Sequence, residues 1–295
     1  MLAERTQRPP ALDEAYAHCR RITLGHYENF PVVSWLLPRD LRGPIYALYA
    51  YCRSTDDLGD EAEGDRLALL DEWEAALRRA YDGDADDPRF VALADTVRRF
   101  DIPMDPFLHL IEANRREQRV NRYATFDDLL DYCAYSANPV GHMVLSVFGY
   151  RDEKRRRLSD EICTALQLTN LWQDVRRDFD AGRIYLPQDE MRAFGVSEDD
   201  LRVHLATPEF RRLIAFQVDR ARACFERGLP LLRRVSGRLR VDLRLFTLGG
   251  LAVLDAMERQ GYDVLAGRPR LSRSQKFWLG VRGLAPVKVR GGRSL

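Results

Sequence analysis

Six carboxylates fall in the ten residues from Asp56 to Asp65, within the stretch CRSTDDLGDEAEGD that begins at Cys52 directly after the apolar and aromatic run PIYALYAY at positions 44–51. On a helix, residues three and four apart share a face. Steps of four, three and four from Tyr49 give Arg53, Asp56 and Asp60, with Asp57 alongside. Like charges at that spacing repel, and a glycine such as Gly59 inside a helix costs about 1 kcal/mol relative to alanine. The stretch is a poor choice for stability alone. A second stripe, Gln167, Asn170, Asp174 and Asp178, follows by steps of three, four and four within LQLTNLWQDVRRDFDAGRIYLP, where Leu168, Leu171, Trp172 and Val175 make the surroundings apolar. A solvated face accounts for either stripe alone; two oxygen-rich stripes of one step point to a hard cation. Mg²⁺ takes one or two carboxylates, keeps several waters and completes its shell with substrate phosphate. Two facing stripes would hold magnesium on a diphosphate, and Arg53, Arg176, Arg177 and Arg183 would neutralise it as it leaves. The tyrosines beside the first stripe then belong to the wall of an apolar cavity.

The elements that must carry these groups read as helices. Apolar residues recur at three- and four-residue spacing in FDDLLDYCAYSANPVGHMVLSVFGY and SDEICTALQLTNLWQDVRRDF, and no strand-like alternation persists. Turn-forming clusters at 82–88, 101–106, 149–152, 187–197, 207–208 and 228–230 divide the chain into roughly eight to ten helices. The fold class expected is all-α: one domain over residues 1–270, with a basic tail at 271–295. The 295 residues suffice for a core that encloses a ligand. With 46 basic against 45 acidic side chains there is no net electrostatic footprint, and nucleic acid is not an expected partner. Five scattered cysteines, Cys19, Cys52, Cys133, Cys163 and Cys224, form no CxxC pair and suit a reducing cytoplasm. The polar start at 1–10 lacks the apolar core of a signal peptide, and no run reaches the ~18 apolar residues that span a bilayer. From Val264 to Leu295 there are eight Lys or Arg and no acid, around Phe277, Trp278 and Leu279. That composition serves a peripheral contact with the inner face of an anionic membrane, and equally a solvated tail.

The residues resemble the squalene/phytoene synthase family of head-to-head prenyl transferases. YAYCRSTDDLGDE is similar to its first aspartate-rich motif, YCAYSANPVG to its central motif, and LQLTNLWQDVRRDFDAGRIYLP to its second aspartate-rich signature; the likeness runs from about His18 to Leu265. The resemblance implies an isoprenoid synthase fold around a central cavity for long isoprenoid chains, with Mg²⁺-assisted loss of diphosphate. It implies Asp56, Asp57 and Asp60 as one set of metal ligands and Asn170, Asp174 and Asp178 as the other. By the same likeness Arg53 and Gln167 lie close to the diphosphate, and Tyr49 and Tyr132 near the reacting carbons. His26, Asn29, Asn170 and Arg183 join Arg53 and Gln167 in the implied substrate-binding set, and Glu117 stands where an acid is usual in the family.

Departures from the family pattern narrow the expectation. Ser136, Ala137, Asn138 and Pro139 replace a small apolar run, Gln173 replaces an arginine, and HYENFPVVSWLLP at 26–38 replaces the usual Ser-x-Ser-Phe. The N-terminal stretch is similar to the hydroxysqualene synthase branch of bacterial hopanoid biosynthesis, which adds water to presqualene diphosphate without a reductant. NADPH is therefore not expected, whereas a condensing synthase and a flavin-dependent reductase of that pathway are expected partners. Asn138, with Tyr135 or His142, is the candidate anchor for the captured water; the alternative is a helix-kink residue beside Pro139. Phe30, Trp35, Tyr46 and Trp172 suit a cavity wall or a packed core. Three other readings stay open: condensation of two farnesyl or two geranylgeranyl diphosphates, a terpene cyclase (for which the central motif has no expected counterpart), and a non-catalytic helical scaffold that binds lipid or a partner.

Overall fold

Residues 11–25 and 37–272 are described by the computed structural model, and their regular structure is helical. The elements are α1 (Leu12–Gly25), α2 (Arg39–Asp60), α3 (Arg66–Asp82), α4 (Pro88–Phe100), α5 (Asp105–Glu117), α6 (Phe126–Ser136), α7 (Asn138–Val147), α8 (Glu153–Gln173), α9 (Val175–Asp180), α10 (Gln188–Phe194), α11 (Glu198–Arg202), α12 (Pro208–Gly228), a 3₁₀ turn (Leu229–Arg233) and α13 (Gly237–Arg259). The only β-type pairing among the described residues is an isolated bridge between Arg122 and Ile184. None of the described helices is long and apolar enough to cross a membrane.

The helices outnumber the eight to ten expected. Three breaks add to those expected. The first aspartate motif ends in a turn at 61–65, where Asp65 caps α3 by accepting from the backbone N–H groups of Leu67 and Ala68. Ala137 separates α6 from α7, and α8 stops at Gln173 because Asp174 leaves the helical region at φ −106°, ψ 12°. The second stripe is thus carried on two helices. Its backbone bonding nonetheless continues across the kink, from Asp174 N–H to the Asn170 carbonyl (3.0 Å) and from Asp178 N–H to the Asp174 carbonyl (2.9 Å). Short α10 also forms inside the stretch 187–197 that reads as a loop.

Two compact units emerge. The first runs to Arg119 and includes His142–Arg151; the second comprises Val120–Gly141 and the chain from Asp152 onward. In the first unit α2 packs against α1, α3, α4 and α5. Its aromatic residues serve the core: Tyr51 stacks on Trp73 at 5.6 Å, meets Phe107 edge-on at 5.0 Å, and donates its hydroxyl to the Phe107 carbonyl. In the second unit α8 packs along α12 and also against α6 and α13. Trp172 is wholly buried there, so it is a core residue rather than part of a cavity wall.

Candidate functional site

In the first unit the carboxylates of the first motif have different surroundings. Asp65 is a helix cap, while Asp57 lies 2.5 Å and Glu61 2.9 Å from the same Arg53 guanidinium nitrogen. Desolvation works to lower the Arg53 pKa, but the two carboxylates outweigh it and hold the guanidinium above its usual value. Asp56 and Asp60 remain one helical turn apart on the same side of α2. Solvent reaches Asp56, yet protein atoms surround it closely, and its carboxyl is pushed up to about 7. Desolvation is the main cause; a hydrogen bond from Asn114 opposes it, the charges of Asp60 and Glu117 add to it, and Arg53 opposes it.

Helix α5 holds this motif in place through residues that the sequence reading does not single out. Asn114, buried, donates to Asp56 Oδ1 at 3.4 Å and to the Leu110 carbonyl at 3.0 Å. One turn later Gln118 donates to the Gly59 carbonyl at 3.0 Å. A Cβ on residue 59 would fall 2.0 Å from Asn114 Oδ1, so the glycine that weakens α2 is what lets α5 approach. An unexplained glycine inside a charged helix was the available signal; it marks a close neighbour without identifying it.

In the second unit Gln167 is half-buried and Asn170 exposed on α8, with Asp174 and Asp178 beyond it, both half-buried. Asp174 is ion-paired with Arg268, whose Nε lies 2.6 Å from Oδ1 and whose terminal nitrogen donates to Oδ2 at 2.9 Å. Tyr132 belongs to a cluster of three buried tyrosines: Tyr123 stacks on Tyr185 at 5.5 Å, and Tyr132 lies 5.5 Å from the first ring and 5.6 Å from the second. The bridge at Arg122 and Ile184 assembles this cluster. Ile184 N–H donates to the Asn121 carbonyl, Gln188 N–H donates to that of Tyr123, and the Arg122 side chain spans the Gly182 carbonyl and Glu198. The same bonds fix the segment bearing Arg183, which is half-buried. Beside the cluster, a cavity of about 10 Å³, room for a single water, is lined by Asp178, Tyr185 and apolar side chains including Leu171, Val175 and Ile184.

The central motif also belongs to the second unit as far as Gly141. Asn138 opens α7 and its side-chain oxygen accepts from the Thr164 hydroxyl of α8 at 3.1 Å. A Cβ at Gly141 would lie 2.3 Å from Ser159 Oγ and 2.8 Å from Cys163 Sγ, so α7 starts in close contact with α8. Tyr49 on α2, Tyr135 on α6 and His142 on α7 are each half-buried. His26, Asn29, Phe30, Trp35 and the tail residues Phe277, Trp278 and Leu279 lie outside the described residues.

A sequence profile of squalene/phytoene synthases matches residues 24–275. The chain belongs to the squalene/phytoene synthase family. Its sequence is 36% identical over 272 residues to 15-cis-phytoene synthase of Synechococcus elongatus, covering 88% of each chain. Among solved structures, squalene synthase HpnC from Alicyclobacillus acidocaldarius is 52% identical, with a TM-score of 0.82 over 85% of this chain and 95% of that one. A dehydrosqualene synthase in complex with ligand is 26% identical, with a TM-score of 0.85 over 93% and 96% of the two chains. The fold is that of the isoprenoid synthases.

For a squalene/phytoene synthase, the donor set suits magnesium better than a metal held by protein alone. Among the described residues no three His, Cys, Asp or Glu side chains converge into a self-contained cage. What each unit offers is one or two carboxylates with oxygen donors only, the complement of a cation that keeps its waters and takes phosphate oxygens. The charges of Asp60 and Glu117 raise the pKa of Asp56, while Asp174 is paired with the Arg268 guanidinium.

Proposed function

We propose that this squalene/phytoene synthase ionises presqualene diphosphate and captures water to give hydroxysqualene. The 52% identity to squalene synthase HpnC over most of both chains carries the reading, against 36% to phytoene synthase. The departures at 26–38 and 136–139, which resemble the hydroxysqualene branch, point the same way. Magnesium, when bound, supplies charge to the departing diphosphate oxygens. Asp56 and Asp60 on α2 would hold one such ion in the first unit, and Asn170, Asp174 and Asp178 at the kink between α8 and α9 another in the second. Asn114 and Gln118 keep α2 at its fixed approach to α5, so the first pair of carboxylates is positioned before substrate arrives. Arg53 and Arg183 offer further positive charge to the diphosphate. The tyrosine cluster presents ring faces, whose negative potential stabilises a nearby carbocation. Asn138, its oxygen already committed to Thr164, keeps its amide N–H groups to orient a water.

The test is inorganic diphosphate release from presqualene diphosphate by purified protein, with Mg²⁺ and with chelator. Release that depends on Mg²⁺ and is lost in Asp174→Asn supports the reading. No release from presqualene diphosphate, together with turnover of geranylgeranyl diphosphate, would favour phytoene synthesis, the second reading that the phytoene synthase relatives support.

A further inference from the structure

The segment after α13 is built to present one guanidinium to the second motif. Gly261 and Tyr262 both adopt left-handed backbone, at φ 61° each, and their N–H groups bond back to the carbonyls of Glu258 and Met257, so the chain reverses sharply. For a tyrosine that conformation is strained and needs support. Arg211 supplies it by donating to the Gly261 carbonyl at 2.7 Å and pairing with Asp263 at 2.7 Å, while Asp263 accepts from the Ala266 N–H. Val264, Leu265 and Pro269 are then buried. Two neighbours of Asp174 in sequence clasp the same segment: Gln173 donates to the Pro269 carbonyl, and Arg176 to the Leu265 carbonyl at 3.2 Å. Between the buried anchors Arg268 alone turns to Asp174, whose side chain keeps 14% of its exposure while that of Arg268 keeps 36%.

We infer that residues 261–269 form a fixed strap that keeps Arg268 on Asp174 as an internal counter-ion, which a divalent cation must displace to bind. The inference rests on the proposed role of Asp174 as a metal ligand. Both oxygens of Asp174 face the guanidinium, so metal and arginine compete for the same carboxylate. Because the backbone on either side is anchored, exchange requires only that the Arg268 side chain rotate while the strap stays. Competition of this kind lowers the affinity for metal in the absence of substrate. It also leaves a guanidinium released next to the site at the moment metal arrives.

The experiment is titration of the full chain with Mn²⁺ alone, reading free metal by electron paramagnetic resonance, with Mn²⁺-dependent thermal stabilisation as a second readout. Arg268→Gln should bind roughly 2- to 5-fold more tightly than the unaltered protein, the loss of one half-exposed ion pair. Arg268→Lys, which keeps the charge but not the two-pronged geometry, should fall between. Arg270→Gln, removing an exposed charge two residues away, should leave affinity unchanged. Equal affinity in Arg268→Gln and the unaltered protein, or an equal gain in Arg270→Gln, overturns the counter-ion inference and leaves the metal assignment standing. Binding undiminished in Asp174→Asn, or absent from every variant, overturns the assignment itself.

Discussion

A Cβ on Gly59 would lie 2.0 Å from the side-chain oxygen of Asn114, the same residue whose amide nitrogen reaches Asp56. The glycine and the asparagine form one device: the first makes room and the second spends it holding a carboxylate. Gly59→Ala would gain about 1 kcal/mol of helix propensity and lose about 1–3 kcal/mol to overpacking. The expected outcome is a net fall in melting temperature together with weaker Mg²⁺ binding; Asn114→Ala in the same chain should recover the stability and not the metal affinity.

Protonation of Asp56 couples metal binding to pH. With its carboxyl pushed up to about 7, well above the unfolded value of 3.8, the metal-free native state keeps a proton across that interval where the unfolded chain has lost it. Metal-free stability is therefore highest at low pH as far as this group is concerned, and declines as pH rises from about 4 to about 7. Mg²⁺ must expel the proton, so its affinity should drop by up to about tenfold for each pH unit below 7. Asn114→Ala, which removes a donor to the carboxylate, should move that profile to higher pH. Melting curves across pH 5–8, with and without Mg²⁺, give both slopes. A metal affinity flat over that range would contradict the assignment.

Gly141→Ala should destabilise the start of α7, because its Cβ meets Ser159 Oγ and Cys163 Sγ. The loss should be about 1–3 kcal/mol, with partial recovery on adding Ser159→Gly, measured by denaturant unfolding.

Asn138 separates two roles by product as well as by stability. Loss of its bond with Thr164 costs about 1 kcal/mol, whatever its chemistry. If it also orients the captured water, Asn138→Ala shifts the products from alcohol towards hydrocarbon, whereas Thr164→Val lowers stability with the alcohol retained. An unchanged product ratio in Asn138→Ala would leave it a tie between α7 and α8.

The legible parts of the sequence were those that depend on local pattern. Helical spacing gave the all-α class, and breaks rich in Asp, Gly and Pro fell where expected, as between α3 and α4 or α4 and α5. The kink at Asp174 was not legible, since nothing in WQDVRRD disfavours a helix locally and the backbone bonds run on through it. Nor could Asn114, Tyr123, Tyr185 or Arg268 be singled out. Each acts through a partner far along the chain, and Arg268 lies 94 residues from Asp174. The first motif offered too many candidates instead: six similar carboxylates, five of which the fold sorts into a cap, an ion-paired couple on Arg53 and the pair at Asp56 and Asp60.

The most direct test of the central claim is mass spectrometry of the lipid product formed from presqualene diphosphate in ¹⁸O-labelled water, with Mg²⁺ and without reductant. The expected product is hydroxysqualene carrying one heavy oxygen. An unhydroxylated hydrocarbon, or no conversion alongside condensation of farnesyl or geranylgeranyl diphosphate, would contradict it.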